Sequence, residues 1–188
     1  MPGSLRSRSS AAAAALLLAA CATLPPPPAA QRDYEGRFAL AVTGVQQQKA
    51  WTGRFSLLVG KQALTLDLVS PLGATLARIE TERGGAQVLV PEGGTVRIER
   101  GPDAQSLSRR VLGWSLPVAG LPDWVQGRPS PGRPFRALAA DGFTRRFEQD
   151  GWVVTVDFGA RRRLRMNRPA QDGMPQVGLR VVLDQTGS

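Results

Sequence analysis

Residues 64–77 read LTLDLVSPLGATLA, and the period of this stretch indicates the kind of fold that the chain adopts. Within residues 64–68, leucines alternate with polar residues, which is typical of a β-strand with one apolar face. Pro71 and Gly73 then predict a tight turn, after which apolar residues resume. The tip of this turn carries Leu72, although turn residues are usually polar. Two strands joined in this way predict an antiparallel hairpin.

The two-residue period continues on both sides of the hairpin, and short glycine-containing turns separate several of the runs. The predicted strands are residues 37–43, 51–59, 64–68, 88–90, 96–98, 143–149, 151–158, 161–166 and 176–184. Successive short strands with one apolar face are typical of an antiparallel meander.

The period changes in the middle of the chain. Residues 103–113 are predicted to form a helix, because Asp103 can cap its start and Gly113 can end it. A second short helix is predicted at residues 121–126, and residues 128–136 are predicted to be a loop. Strands, then helices, then strands predict one curved sheet whose apolar face is covered by the helices.

Composition excludes several classes of function. The 188 residues fit one domain, and the absence of histidine excludes a Ser-His-Asp triad and His-containing zinc motifs. One cysteine excludes an intrachain disulfide and a cysteine-cluster metal site. No catalytic residue, metal or cofactor is predicted, and the protein is not expected to be an enzyme or to bind nucleic acid. Arginine supplies nearly all of the 24 basic residues, which either a GC-rich genome or selection for anion binding would explain.

The N-terminal segment has the pattern of a signal peptide. Residues 1–20 contain two arginines and no acid, followed by an apolar run too short to span a bilayer. The sequence LAAC at residues 18–21 resembles a bacterial lipobox, which implies that Cys21 becomes the acylated first residue; an ordinary secretory signal with an incidental cysteine is the alternative. Residue 22 is alanine and not the aspartate that retains lipoproteins at the inner membrane. The expected location is therefore the periplasmic face of the outer membrane.

Residues 21–33 form the predicted tether between this anchor and a domain at residues 34–188. Four consecutive prolines favour an extended polyproline II segment. A dozen such residues would hold the domain at most roughly 30 Å from the lipid.

Four motifs occur in order along the chain: the lipobox, VSPLGATLA, LGWSLPVAGLPDWVQGRP and FEQDGWVVTVDFG. Together they resemble the outer-membrane lipoprotein LolB family over about residues 34–185. The resemblance implies a mainly β fold, an incomplete antiparallel β-barrel with a helical lid over an apolar cavity. It also implies that the protein accepts lipoproteins from the soluble periplasmic carrier LolA and inserts them into the outer membrane. The implied partners are a LolA-type carrier, lipoprotein cargo and the inner leaflet of the outer membrane, with the protein acting as a monomer.

The resemblance suggests roles for three sets of residues. Inward-facing apolar residues are candidates for the cavity wall, although an ordinary core would have the same pattern: Phe38, Leu40, Phe55, Leu57, Leu66, Leu68, Val88, Val90, Val154, Val156 and Leu179. Candidates for the lid are Leu107, Val111, Leu112 and Trp124. Pro71, Leu72 and Gly73 match a loop that projects from the barrel, and a membrane-insertion role is expected for Leu72; the alternative is that it turns back into the core.

The chain departs from the family at Leu57, where tryptophan is frequent, and at the C-terminus, which lacks an expected tryptophan. A cluster of arginines between Arg161 and Arg168 has no counterpart in the family; it predicts either a solvated strand or contact with anionic lipid headgroups.

Two other functions remain open from the sequence. The pairs Glu80 with Glu82 and Glu148 with Asp150 could serve acid and base chemistry on a cell-wall glycan, although their positions beside turns favour solvated carboxylates. A structural envelope lipoprotein without a cavity is the other alternative.

Overall fold

A computed structural model describes residues 32–44, 48–171 and 173–184. The predicted signal peptide, Cys21 and most of the predicted tether lie outside the described residues. The described chain forms one sheet of eleven strands and two helices. The strands and helices, in chain order, are β1 (Arg32–Thr43), β2 (Gln48–Val59), β3 (Leu64–Val69), β4 (Thr75–Glu82), β5 (Gly85–Glu92), β6 (Thr95–Gly101), α1 (Ala104–Leu112), α2 (Leu121–Trp124), β7 (Phe135–Ala140), β8 (Thr144–Gln149), β9 (Trp152–Phe158), β10 (Arg162–Arg168) and β11 (Gln176–Leu183).

The sheet is antiparallel and open. Its strand order is β6-β5-β4-β3-β2-β1-β11-β10-β9-β8-β7, so the first and last strands pair in the middle and β6 and β7 form the two edges. Hairpins therefore build each half, and the two helices lie in the connection between the edges. This arrangement confirms the prediction of a mainly β fold that is an incomplete antiparallel barrel.

The two ends of the sheet are fixed by strand register. At one end, here called the Arg32 end, Arg32 lies opposite Val59. Strand β3 begins beside Val59 and runs away from that end, so the turn that carries Leu72 lies at the other, here called the Leu72 end. The chain therefore enters the sheet at the end remote from Leu72.

The apolar face predicted by the two-residue period is the buried face. Trp152, Val154 and Val156 on β9 are at most 1% exposed, and the alternate residues Val177 to Leu183 on β11 are also buried. The helix α1 packs against this same face at β4, β5 and β6. The helices therefore cover the inner face of the sheet, as predicted.

Three elements differ from the prediction. Strand β7 occupies residues predicted to be loop or left unassigned, because its sequence FRALAA does not alternate and its side chains at the sheet edge are mostly exposed. Helix α2 is a single turn, shorter than predicted. Strand β1 begins at Arg32, within the predicted tether, since Arg32 and Asp33 pair with β2.

Helix α1 has the caps that its sequence predicts. The Asp103 carboxylate accepts a hydrogen bond from the backbone N–H of Ser106 at 2.7 Å, and Gly113 ends the helix in the left-handed region with φ of 80°. The Gly113 amide donates to the Arg109 carbonyl at 2.9 Å. The hydrogen bonds from the backbone and hydroxyl of Ser106 lower the pKa of Asp103.

The cap predicts how α1 responds to mutation and to pH. We expect Asp103→Ala to destabilise the helix by about 1 kcal/mol, whereas Asp103→Ser should retain most of the stability because serine also caps. The Asp103 pKa is lower in the folded state, so its contribution is present above the ordinary carboxyl pKa of about 3.9 and is lost as the pH falls below it. Urea unfolding of the three proteins at neutral and acidic pH measures this. A difference between Asp103→Ala and wild type that does not shrink on acidification would contradict the cap's ionised role.

Candidate functional site

A cavity of about 1140 Å³ lies between the inner face of the sheet and the helical connection. This volume is slightly larger than the usual range for small-molecule pockets, about 300 to 1,000 Å³. Exposed residues that line it, Thr43, Gly44 and Gln176, lie at the Leu72 end. The cavity therefore opens at the Leu72 end of the sheet.

Most of the predicted wall residues line this cavity. They are Phe38 and Leu40 on β1, Phe55 and Leu57 on β2, Leu66 and Leu68 on β3, Val88 on β5 and Leu179 on β11. Leu57 is 0% exposed, so it lies at the floor of the cavity and away from its opening.

The structure corrects the prediction at three wall positions. Val154 and Val156 are completely buried but do not line the cavity. The connection between β6 and β7, residues 102–134 and here called the covering chain, meets β9 where the Phe158 ring lies against Gly127. Val90 is half-buried near the end of β5 and also lies outside the lining. Periodicity identified the correct face at these positions but could not distinguish packed core from open cavity.

Trp124 packs over strand β8. Its ring is fully buried, and it meets Phe147 edge to face with ring centroids 6.3 Å apart. Its indole N–H donates to the buried Gln149 side-chain oxygen at 2.8 Å, and the Ser130 backbone N–H donates to the same oxygen. The Gln149 amide in turn donates to the Ser130 carbonyl at 3.0 Å. Trp124 therefore anchors the covering chain to β8, and the cavity lies over β1 to β5 and over parts of β10 and β11.

Only two of the four residues predicted for the lid line the cavity, because the other two pack closely against neighbouring residues. Val111 and Leu112 line the cavity, whereas Leu107 and Trp124 are buried outside it, Leu107 because it packs beneath α1 against Gly101. The remaining lid-side lining comes from the irregular chain after α1 and from the region of α2: Gly113, Trp114, Leu116, Leu121 and Val125. Sequence reasoning missed these positions because they belong to no long periodic segment.

The irregular chain after α1 is held to that helix by hydrogen bonds. The Leu116 backbone N–H donates to the buried Ser108 hydroxyl at 2.9 Å, and Arg109 Nε donates to the Ser115 hydroxyl at 3.1 Å. Helix α1 and the segment up to Leu116 therefore form one connected unit over the cavity.

The Leu72 turn projects from the rim of the cavity. Leu72 is 97% exposed, the highest value among the exposed large hydrophobic residues of the described chain. The Ser70 N–H donates to the Ala74 carbonyl at 2.7 Å, and Gly73 has φ of 86°, which glycine adopts without strain. A closed turn thus holds an apolar side chain in solvent, at the end of the sheet where the cavity opens.

The carboxylates considered for acid and base chemistry lie outside the cavity lining. Glu80 accepts a hydrogen bond from the Gln87 side chain at 2.6 Å, and Glu148 and Asp150 pair with Arg136 and Arg133. In the described part of the chain, no group of three or more histidine, cysteine, aspartate or glutamate side chains could hold a metal ion. Among its described helices, none is long and apolar enough to cross a membrane.

An open antiparallel sheet with a helical cover and an apolar cavity defines a class of half-barrel proteins that can enclose a hydrophobic ligand. The family model described as outer membrane lipoprotein LolB matches residues 30–184, and the chain belongs to this family. The location as an outer-membrane lipoprotein agrees with the one predicted from the lipobox.

Curated relatives named outer-membrane lipoprotein LolB include proteins from three genera. The Ralstonia nicotianae protein is 37% identical over 81% of this chain and 78% of its own length. The Neisseria meningitidis protein is 34% identical over 81% of this chain and 72% of its own length. The Cupriavidus pinatubonensis protein is 37% identical over 67% of this chain, but the match spans only 60% of that relative.

The cavity floor offers a direct test of ligand binding. Leu57→Trp should fill part of the cavity and weaken binding of a fluorescent acyl probe by more than tenfold, since losing burial of two methylenes costs about 1.6 kcal/mol. Leu58→Trp is the matched control, because Leu58 is the next residue of β2 and faces the outer side of the sheet. Fluorescence titration measures the affinities, and thermal melts check that both variants fold. Equal weakening by the two substitutions would contradict the cavity as the binding site.

Proposed function

We propose that this protein accepts acylated lipoproteins from a LolA-type periplasmic carrier, holds their acyl chains in the cavity and releases them into the outer membrane. The observation that carries the proposal is that the apolar cavity opens at the same end of the sheet as the exposed Leu72. One end of the molecule thus presents both the ligand site and an apolar side chain available to a bilayer.

Such a carrier is required by the physics of lipid transfer. Burial of each methylene stabilises by about 0.8 kcal/mol. Transfer of a lipoprotein with roughly forty acyl-chain methylenes from lipid to water would therefore cost tens of kcal/mol of free energy. Spontaneous crossing of the periplasm is therefore excluded. A cavity that shields the chains removes most of this cost during transfer.

Direction can come from affinity differences alone. Acyl chains pass from a carrier that binds them less tightly to this cavity and then to the bilayer, where they are most stable. Apolar walls suit this task because they stabilise chains without fixing them in one pose. Nucleotide hydrolysis and catalysis have no part in the proposed mechanism.

The anchor and the Leu72 turn have separate roles in this proposal. Cys21, once acylated, retains the protein at the membrane, and the protein acts as a monomer. Burying one leucine in lipid is worth about 1.5 to 3 kcal/mol, far less than the acyl chains on an anchor contribute. Leu72 therefore contacts the bilayer transiently, brings the mouth of the cavity to the surface and promotes release.

The Leu72 role predicts a selective defect. Leu72→Glu should leave stability and receipt of cargo nearly unchanged, because the side chain is 97% exposed, but should slow delivery into liposomes at least tenfold, because a carboxylate resists entry into lipid. Phe143→Glu is the matched control, since Phe143 is 74% exposed in a turn at the Arg32 end. Transfer of a labelled lipoprotein from its carrier to liposomes measures delivery. A normal delivery rate for Leu72→Glu, or an equal defect in Phe143→Glu, would remove the insertion role.

The lid predicts that cargo entry requires movement of α1. A Cβ built on Gly101 would lie 3.3 Å from the Leu107 Cβ, close to the separation of about 3.8 Å in disulfides. In a chain with Cys21→Ala, which leaves no other thiol, the Gly101→Cys and Leu107→Cys pair should form a disulfide that holds α1 to β6. We expect acyl-probe uptake to slow at least tenfold when the pair is oxidised.

The reduced form of the same double variant is its own control, because it carries both substitutions without the cross-link. Mass spectrometry verifies the disulfide, and stopped-flow fluorescence measures uptake before and after reduction. Equal uptake rates in the two forms would remove helix movement from the mechanism.

A further inference from the structure

The mouth of the cavity carries a positive charge that the lipoprotein cargo does not explain. Lys49 is the only ionised side chain among the described residues that line the cavity. It lies near the start of β2, where alternation places it on the same face as Trp51 and Phe55. It is exposed, so it lies at the opening and not in the interior.

A second cation, Arg168, lies on the inner face of β10 and borders the cavity through Met174, although it does not itself line the cavity. On β10, Leu164 and Met166 are buried and the residues between them are exposed, so Arg168 continues the inward-facing series. Its Nη2 contacts the Met174 sulfur at 3.5 Å, and Met174 lines the cavity. Its Nη1 is buried and makes no hydrogen bond within the described residues. The other arginines of this cluster differ: Arg163 and Arg165 face outward, and Arg162 packs on Phe158.

Strand register places the two cations in one row. Lys49 lies opposite Val42, Val42 opposite Val177, and Val177 opposite Arg168. Three strand spacings separate the two backbones by roughly 14 Å along the sheet. Because both side chains are long and rise from the concave face, they flank the mouth on either side of two valines.

No described acid neutralises this pair. The described lining contains no aspartate or glutamate, and neither cation has a salt bridge to a described residue. An unpaired guanidinium nitrogen that is removed from water is costly, which favours an anionic ligand beside it. A ligand whose alkyl chain occupied the cavity would place its headgroup at this row.

We propose that Lys49 and Arg168 form a headgroup site at the cavity mouth that selects amphiphiles carrying an anionic group on an acyl chain. The acylated cysteine of a lipoprotein is not such a ligand, because its amino group is blocked and its glycerol is esterified, so it has no charge. The site therefore gives the cavity a second class of ligand, with either a fatty-acid carboxylate or a phospholipid phosphate against the two cations.

The test compares charged and uncharged ligands with the same chain. A pyrene-labelled fatty acid and its methyl ester are titrated into the chain from residue 22 onward, which contains every described strand and helix and needs no detergent. The wild type should bind the acid at least about threefold more tightly than the ester, and this preference should fall with added salt. Lys49→Gln and Arg168→Gln should each reduce the preference, and the double variant should abolish it while ester affinity stays unchanged.

Lys61→Gln is the matched control, because Lys61 is the only other lysine and lies in the exposed turn at the Arg32 end. Displacement of the ester by lysophosphatidylglycerol and by the corresponding monoacylglycerol extends the test to phosphate. If the charged ligand is preferred only in the pair of fatty acid and methyl ester, and the preference depends on Lys49 and Arg168, the site binds carboxylates. If it is preferred only in the pair of lysophosphatidylglycerol and monoacylglycerol, with the same dependence, the site binds phospholipids.

Equal affinity in the wild type within both the acid–ester pair and the phosphate pair, or a preference that survives in the double variant, would overturn the headgroup site. Either result would leave the proposed lipoprotein transfer intact, because ester binding reports on the cavity itself. Failure of both the acid and the ester to bind would overturn the headgroup site together with the acyl-binding cavity.

Discussion

The buried hydrogen bond from the Trp124 indole to Gln149 is the interaction on which the cavity depends. Gln149 is 1% exposed, and losing its partners would leave a buried polar group that costs about 1 to 3 kcal/mol. The bond fixes the covering chain over β8 and β9, where the apolar side chains meet at close range. Because this bond holds the covering chain at β8, the chain does not need to pack closely over β2 and β3. The inner face at those strands can therefore border a cavity.

The cavity and the packed core share the inner face of one sheet. Empty space beside apolar side chains forfeits dispersion contacts and destabilises a protein in proportion to its volume. A fold with a cavity this large must recover that loss elsewhere, and buried residues outside the lining, among them Trp124, Phe147 and Trp152, supply packed core.

Local sequence patterns predicted most strands and helices correctly. They could not predict how strands and helices that are distant in sequence pack against each other. The alternation on β2 and β11 and the caps Asp103 and Gly113 are set by neighbouring residues, and they agree with the structure. Val154 and Leu57 have the same pattern and are both fully buried, yet Val154 belongs to packed core and Leu57 borders the cavity, because the position of the covering chain decides between these outcomes. Strand β7 was missed because an exposed edge strand needs no apolar face. The row from Lys49 to Arg168 was missed because it joins the first two strands to the last two, which are distant in sequence.

The entry of the chain at the Arg32 end has a consequence for orientation. If a short segment before Arg32 connected the domain to the membrane, the Arg32 end would lie near the membrane. The Leu72 end, where the cavity opens, would then face the periplasm. Strand β3 spans about 20 Å, and residues 21–31 would reach roughly 30 Å in the predicted polyproline II conformation. Under the proposed anchoring at Cys21, a segment of this length would let the domain turn over, so that the Leu72 end could face a carrier in one orientation and the membrane in the other.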